Sequence, residues 1–494
     1  MPESVPPGDA TPHAVPDAAS ADSADARTTL RLADVVAALT YALDVTEGQP
    51  EGHAVRSCAI GMAVGRRLGT DDAALSALYY ALLLKDLGCS SNAARLTATF
   101  GADDRTVKHA FKLVDTSRLW EGARFVLGQA GRAALRSGGV RAWYRHVRDV
   151  ATGAGGGHRA LIEVRCERGA DIAHQLGFPG ATSAAIRALD ERWDGSGFPY
   201  GLSGDAIPLA GRILGLAQTV EVFHAAHGPR AARTVARRRS GRWFDPHVVD
   251  AFLEVEREAG FWERVAGPEA ERHVASLEPE GLVLRADDAR LDRVAEAFAR
   301  VIDAKSPWTY RHSERVRALA LGIASELALS EAQRTLLSRA ALLHDLGKLA
   351  VPNTILDKPG RLDAEEFAVI RRHPALSERI VRRVAPFQEV AEVAGGHHER
   401  LDGHGYHQGR RAGRLRLEVR ILAVADAFEA MTASRPYRDG MSTERALEIL
   451  RQDAGSGVDA ACLAALERHL ESDEGREAGR DSLRRADPVL RRDR

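Results

Sequence analysis

Seven side chains in the C-terminal half of this 494-residue chain stand in an order suited to metal chemistry: His312, the pair His344-Asp345, His373, the pair His397-His398, and Asp426. Imidazole and carboxylate together suit Fe, Mn or Zn, and one carboxylate has two oxygens with which to bridge two ions. Single histidines commonly cap helices, pack in cores or face solvent. Two adjacent ligand pairs bracketed by single ligands point instead to a hydrolase with a dinuclear centre. A structural zinc is the weaker alternative, because no thiolate accompanies these residues. Lys348 lies one helical turn beyond His344, where an ammonium could meet a phosphate or stabilise a leaving oxygen.

Each ligand needs an element to hold it. SRAALLHDLGKL reads as an apolar helix ending at His344-Asp345, with Gly347 as its breaker. Pro374 fixes the start of a helix just after His373. Gly395-Gly396 lets the backbone approach closely before His397-His398. Asp426 sits inside RILAVADAFEAMT, where Ile421, Val424, Ala425 and Phe428 share one face. A carboxylate within such a helix is expensive to bury without a cation. Val316, Leu319, Ala320, Ile323 and Leu327 form a similar stripe after His312. Alternating strand patterns are scarce, so the fold class is all-α.

The chain also repeats itself. ERWDGSGFPYGLSGDAIPLAGRILGLAQTVEVF at 191–223 parallels ERLDGHGYHQGRRAGRLRLEVRILAVADAFEAM at 399–431, with Asp194 and Asp402 208 positions apart. Upstream, Lys85-Asp86-Leu87-Gly88 parallels His344-Asp345-Leu346-Gly347, and His53 parallels His312, both 259 positions apart. The two offsets differ by an insertion in the first copy, placed near 100–158. The spacing predicts two helical bundles in tandem: copy one over 28–265, a linker or small joining element over 266–289, and copy two over 290–470. Residues 1–27, rich in Pro, Ala, Asp and Ser, read as a disordered tail, and 471–494 as a frayed, charge-rich one.

Composition excludes several classes. Hydrophobic residues make up 45% and charged residues 28%, as in soluble globular proteins. A net charge of −1 provides no global field for a nucleic acid polymer. No run approaches the roughly 20 apolar residues of a membrane span. Cys58, Cys89, Cys166 and Cys462 are scattered and fit reduced, mostly buried thiols in a cytoplasmic protein.

HDLGK followed by HHERLDGHGYH strongly resembles the HD-GYP subgroup of HD-superfamily phosphohydrolases. AKSPWTYRHSERV, PNTILDKPGRL and RILAVADAFEAMTASRPYR extend the resemblance over about 303–465. It implies an all-α domain holding two or three Fe or Mn ions, which hydrolyses cyclic di-GMP to pGpG and onward to GMP. By position, His312, His344, Asp345 and Asp426 would hold one metal, and Asp345, His373, His397 and His398 the second. Asp345 and Lys348 would be catalytic, with Lys348 on the scissile phosphate. Arg435 and Arg438 would contact the phosphates or guanine, as planar bidentate donors do. Two departures stand out. The GYP proline is His407, giving a less stiff loop with exposed His404 and His407. Trp308 replaces a glutamate that supports a third ion in some members, so two metals are expected.

Copy one keeps the shape signals and loses the ligands. Lys85 replaces the HD histidine, Cys89 the lysine, Leu189-Asp190 the double histidine and Gln218 the late aspartate; near Arg168-Gly169 nothing matches His373-Pro374. Only His53 and Asp86 remain. Such a copy would pack on copy two, support a homodimer, or sense a ligand. The alternatives to a cyclic dinucleotide phosphodiesterase are a non-catalytic cyclic di-GMP receptor and a hydrolase of another nucleotide phosphoester.

Overall fold

The computed structural model describes residues 30–100, 102–114, 157–434 and 439–472. The helices that bear on the site are, in chain order, α1 (Leu32–Thr46), α2 (His53–Arg67), α3 (Asp72–Leu84), α4 (Asp104–Leu113), α5 (Gly157–Gln175), α6 (Gly180–Arg187), α7 (Leu209–His227), α8 (Asp288–Asp303), α9 (His312–Glu326), α10 (Glu331–Leu343), α11 (His373–Val381), α12 (Gln388–Gly395) and α13 (Leu417–Thr432). Among the described residues there is no β-strand, only isolated bridges. The all-α expectation holds.

Short polar signals start these helices. Ser330 and Gln333 form a reciprocal capping box before α10. Asp71 accepts from Ala74 N before α3 at 2.8 Å, and Asp287 from Arg290 N before α8 at 2.7 Å. The apolar stripes then turn inward. Val316, Leu319, Ala320 and Ile323 of α9 are buried, as are Ile421, Val424, Ala425 and Phe428 of α13.

In the C-terminal half, α9 packs on α10 and α13, α12 on α10 and α11, and α11 on the turn 346–350. In the N-terminal half, α2 packs on α3 and α7, α6 on α3 and α5, and α5 on the turn 89–92. The closest approaches match too. A Cβ on Gly347 would lie 2.1 Å from His373 O and 2.9 Å from Ser377 N. One on Gly88 would lie 1.9 Å from Arg165 O and 2.8 Å from Gly169 N. Arg165 therefore stands to Gly88 as His373 stands to Gly347, a correspondence that sequence alone did not reveal. The reading of Gly347 as a helix breaker needs correction: α10 already ends at Leu343, and glycine is required because the α11 backbone lies against it. Gly347→Ala is expected to lower stability by about 1–3 kcal/mol through overpacking and to displace His373, read as a lower melting temperature together with weaker metal retention.

The halves are interlocked. Helix α1 packs on α2 and α3 of its own half, and on α11 and the turn 346–350 of the other. Helix α8 packs on α9 and α10, and also on α5 and the turn 89–92. Asp104 of α4 reaches across to Lys305 Nζ at 3.3 Å and Asn353 N at 3.5 Å, all three buried. Burial pushes Lys305 down to about 8, against the attraction of Asp104. Residues 266–289 are a joining element rather than a free linker: Val274, Leu277 and Glu278 are buried, and Glu278 accepts from Arg31 Nε at 3.0 Å. Glu471, read as the start of a frayed tail, closes the last helix, Ala460–Glu471. The 1–27 tail, most of the insertion, and Arg435 and Arg438 lie outside the described residues.

Candidate metal centre

Seven side chains from five places in the sequence meet at the core of the C-terminal half. His312 opens α9, His344 caps α10, Asp345 follows it, His373 opens α11, His397-His398 follow α12, and Asp426 lies within α13. All but His398 are buried. Asp345 is the hinge of the set. Its Oδ2 lies 3.3 Å from His312 Nε2 and 3.4 Å from His344 Nε2. Its Oδ1 lies 3.3 Å from His373 Nε2 and 3.8 Å from His397 Nε2. Asp426 Oδ1 closes the first side, 3.4 Å from His312 Nε2 and 3.7 Å from His344 Nε2. Ligand atoms of His312, His344 and Asp426 fall within 4.8 Å of one another, as do those of His373, His397 and His398.

The outer faces of the rings decide what the inner faces can do. His344 Nδ1 donates to Ala341 O at 2.8 Å, His373 Nδ1 to Ile370 O at 2.7 Å, and His397 Nδ1 to Ala394 O at 2.6 Å. Each bond assigns the ring proton to Nδ1 and turns the Nε2 lone pair inward, the arrangement that metal-binding histidines use. Lone pairs facing each other at 3.1 Å, as in His373 Nε2 and His397 Nε2, call for a cation between them. Asp345 Oδ1 is buried without a hydrogen-bond partner, a costly state that a cation would relieve. The residues therefore fit a metal centre.

Charge divides the set in two. Burial lowers His373, carries His397 further down with help from neighbouring imidazoles, and brings His398 to about 3, so these three imidazoles are neutral. On the other side burial opposes charge, but Asp345 and Asp426 outweigh it and hold His344 at about 9. Glu429, Asp345 and Asp426 likewise raise His312. Lys348 and His344 keep Asp345 well below the usual carboxylate range despite its burial. Ligation requires neutral imidazole, so loading must expel protons. At pH 7.5, Mn titration is expected to release more than one proton per chain, seen as different heats in buffers of different ionisation enthalpy. Affinity should climb with pH up to about 9; equal heats in all buffers would contradict this.

Lys348 Nζ lies 2.5 Å from Asp345 Oδ2 with its side chain 18% exposed, placing an ammonium between the metal ligands and solvent. The Tyr406 ring tilts against His398 at 4.8 Å, with the Arg371 guanidinium 5.0 Å from its centroid. His404 is exposed, as expected. The His407 imidazole does not join the ligands; it pairs with Glu378, which also accepts from Gln408 Nε2 at 2.9 Å. That pair ties down the loop that lost its proline.

Sequence reasoning missed Glu429. Fully buried on α13, it accepts from His312 Nδ1 at 2.5 Å and from Arg315 Nε at 2.7 Å. Glu221 makes the same contacts with His53 and with Arg56 Nε, the latter at 2.6 Å. The recurrence at the 208 and 259 spacings was the signal available in the sequence. In the N-terminal half, Glu47, Asp86 and Cys89 also cluster, but Lys85 contacts Asp86 and Lys112 Nζ lies 2.7 Å from Glu47, so fixed ammonium groups already supply the positive charge.

An all-helical scaffold closing five imidazoles and two carboxylates, one of them shared between both groups, carries the donor set of a metal-dependent hydrolase. Comparison with known proteins narrows this. The HD domain family matches residues 154–248 and 296–462. The 3′3′-cGAMP-specific phosphodiesterase 3 of Vibrio cholerae serotype O1 is 41% identical over 448 residues, 90% of this chain and 96% of its own. The cyclic di-GMP phosphodiesterase of Thermotoga maritima is 41% identical over 149 residues, 30% of this chain and 40% of its own. The crystal structure of the V. cholerae cyclic GMP-AMP specific phosphodiesterase V-cGAP3 matches with a TM-score of 0.62 at 36% identity, over 89% of this chain and 98% of that one. The chain belongs to the HD domain family, in its HD-GYP subgroup, and is a phosphodiesterase. No helix among the described residues is long and apolar enough to cross a membrane.

Proposed function

We propose that this phosphodiesterase opens a 3′3′-linked cyclic dinucleotide, with 3′3′-cGAMP as its first substrate. The observation that carries the choice is the reach of the likeness: the V. cholerae cGAMP-specific relative aligns across both halves. Cyclic di-GMP, the expectation from sequence, is the second reading, supported by relatives such as the T. maritima enzyme, which aligns over 30% of the chain.

His312, His344, Asp345 and Asp426 would hold one divalent ion and Asp345, His373, His397 and His398 a second; the mixed imidazole and carboxylate set suits Fe, Mn or Zn, and the family resemblance favours Fe or Mn. Bound there, such ions supply Lewis-acid polarisation of the phosphate and an acidified water. The protein does the rest. Asp345 fixes the spacing of the two ligand sets. Lys348 donates to the scissile phosphate and stabilises charge on the departing ribose oxygen. Arg435 and Arg438 supply bidentate contacts to phosphate or base. The N-terminal half is a disarmed copy of the same bundle: Lys85, Arg165, Leu189 and Gln218 stand where His344, His373, His397 and Asp426 stand in the other.

Mn- or Fe-loaded protein incubated separately with 3′3′-cGAMP and cyclic di-GMP should yield the linear dinucleotide from the first at the higher kcat/KM. Lys348→Ala should reduce kcat by about 100- to 1,000-fold with metal content unchanged. Turnover of neither dinucleotide by the loaded protein would overturn the proposal; preference for cyclic di-GMP would select the second reading.

A further inference from the structure

The N-terminal half contains a cavity of about 130 Å³ lined by Lys112, Arg165, Trp193, Phe198, Gln218 and Trp243, among others. Its acidic lining is already engaged. Asp190 pairs with Arg165, Glu191 accepts from Tyr200 N at 2.7 Å and Leu202 N at 2.9 Å, and Asp245 pairs with Arg212 at 2.9 Å. What stays unsatisfied is mostly donors. Arg165 Nε and Trp243 Nε1 are buried without hydrogen-bond partners, and Lys112, paired with Glu47, has three ammonium hydrogens to share. One acceptor is also left over: Gln218 Oε1, buried and without a partner, on a side chain only 9% exposed. Unsatisfied buried groups of this kind are costly unless a ligand or water meets them.

Donors from Lys112, Arg165 and Trp243 in one lining suit an anion. An amide oxygen with no donor suits the N–H edge of a ring. Trp193 offers flat apolar surface on which a base can stack. Together these groups describe a nucleotide: phosphate at the cationic end, base edge at Gln218. A divalent ion does not suit the cavity, since Arg165 and Lys112 would repel it. We propose that this cavity is a second, non-hydrolytic nucleotide site, separate from the metal centre. The proposal rests on the cavity's own groups and is independent of which dinucleotide the other half cleaves.

GMP is a suitable probe, because Trp193 and Trp243 line the cavity and their fluorescence reports occupancy. The full chain, stripped of metal with EDTA, should bind GMP saturably at one site per chain, and binding should persist in Asp345→Ala. Arg165→Ala and Lys112→Met should each weaken GMP at least tenfold. Gln218→Met, close in volume and carrying no amide, should weaken GMP about tenfold while leaving binding of inorganic phosphate unchanged, which also guards against a misfolded Arg165 variant. Four results would overturn the site: no GMP binding at millimolar concentration, loss of binding in Asp345→Ala, full retention in a folded Gln218→Met protein, or inorganic phosphate binding as tightly as GMP.

Discussion

Asp345→Ala is expected to reduce turnover of the cyclic dinucleotide by a factor of about 1,000 or more, a barrier increase of roughly 4 kcal/mol, while the far-UV circular dichroism stays helical. The reason is positional. Asp345 is the side chain whose two oxygens face different ligand sets, His312 and His344 on one side and His373 and His397 on the other. Its removal deletes a ligand from both positions at once and leaves the Lys348 ammonium without its partner at 2.5 Å. Asp345→Asn separates charge from shape. Asparagine fills the same space but offers one oxygen and no negative charge, so it should fail as completely as alanine. An asparagine variant keeping more than a tenth of wild-type activity would show that Asp345 does not bridge.

Glu429→Gln should lower metal affinity about 10- to 100-fold, because Glu429 orients and polarises His312 from behind. Glutamine keeps the volume but turns an amide donor toward either Arg315 or His312, which are donors themselves. Breaking such a buried charged network typically costs about 3–5 kcal/mol, so a marked drop in melting temperature should accompany the change. The defect should be graded rather than absolute. His373, His397 and His398 have their own carbonyl and neighbour contacts, so metal content should fall toward half rather than to zero, and excess Mn should restore much of the rate. Unchanged metal content together with lost activity would place Glu429 outside the ligand support and argue for a direct role with substrate.

These two residues also mark what a sequence can reveal. Asp345 was legible because its signal is local: an apolar helix stops, a histidine and an aspartate follow, and a glycine comes two residues on. Glu429 was not, because a glutamate on a helix ordinarily faces solvent, and only the packing of α13 against α9 turns it inward. Arg165 was hidden for a related reason. Arg165 lies 208 positions before His373, the same offset as Asp194 and Asp402, but its side chain shares no chemistry with histidine, so the pairing stood out only once both backbones were seen to press on the matching glycines Gly88 and Gly347. The stretch 266–289 read as a linker or a small joining element, since its sequence matches neither copy of the repeat. Yet Val274 and Leu277 are enough to seat it, and Glu278 is held by Arg31 from the far end of the half. The helical class, the ligand set and the repeat come from short-range patterns; the supports behind the ligands come from long-range packing.

The Asp104–Lys305 contact carries a consequence for how the chain comes together. Lys305 takes its ion-pair partner from the other half, while Asp104 is shared between Lys305 and Lys108 of its own half, and each half also lends its first helix to its neighbour's surface. Each half therefore keeps part of its contact surface open until the other has arrived. During synthesis α1 and α4 can seat on their own half, but the faces that meet α11, Lys305 and Asn353 stay open until the ligand-bearing half emerges. Closure of the whole molecule then buttresses α11 and the turn 346–350 from outside, so a chain interrupted after residue 265 is expected to give two pieces less stable than the intact protein.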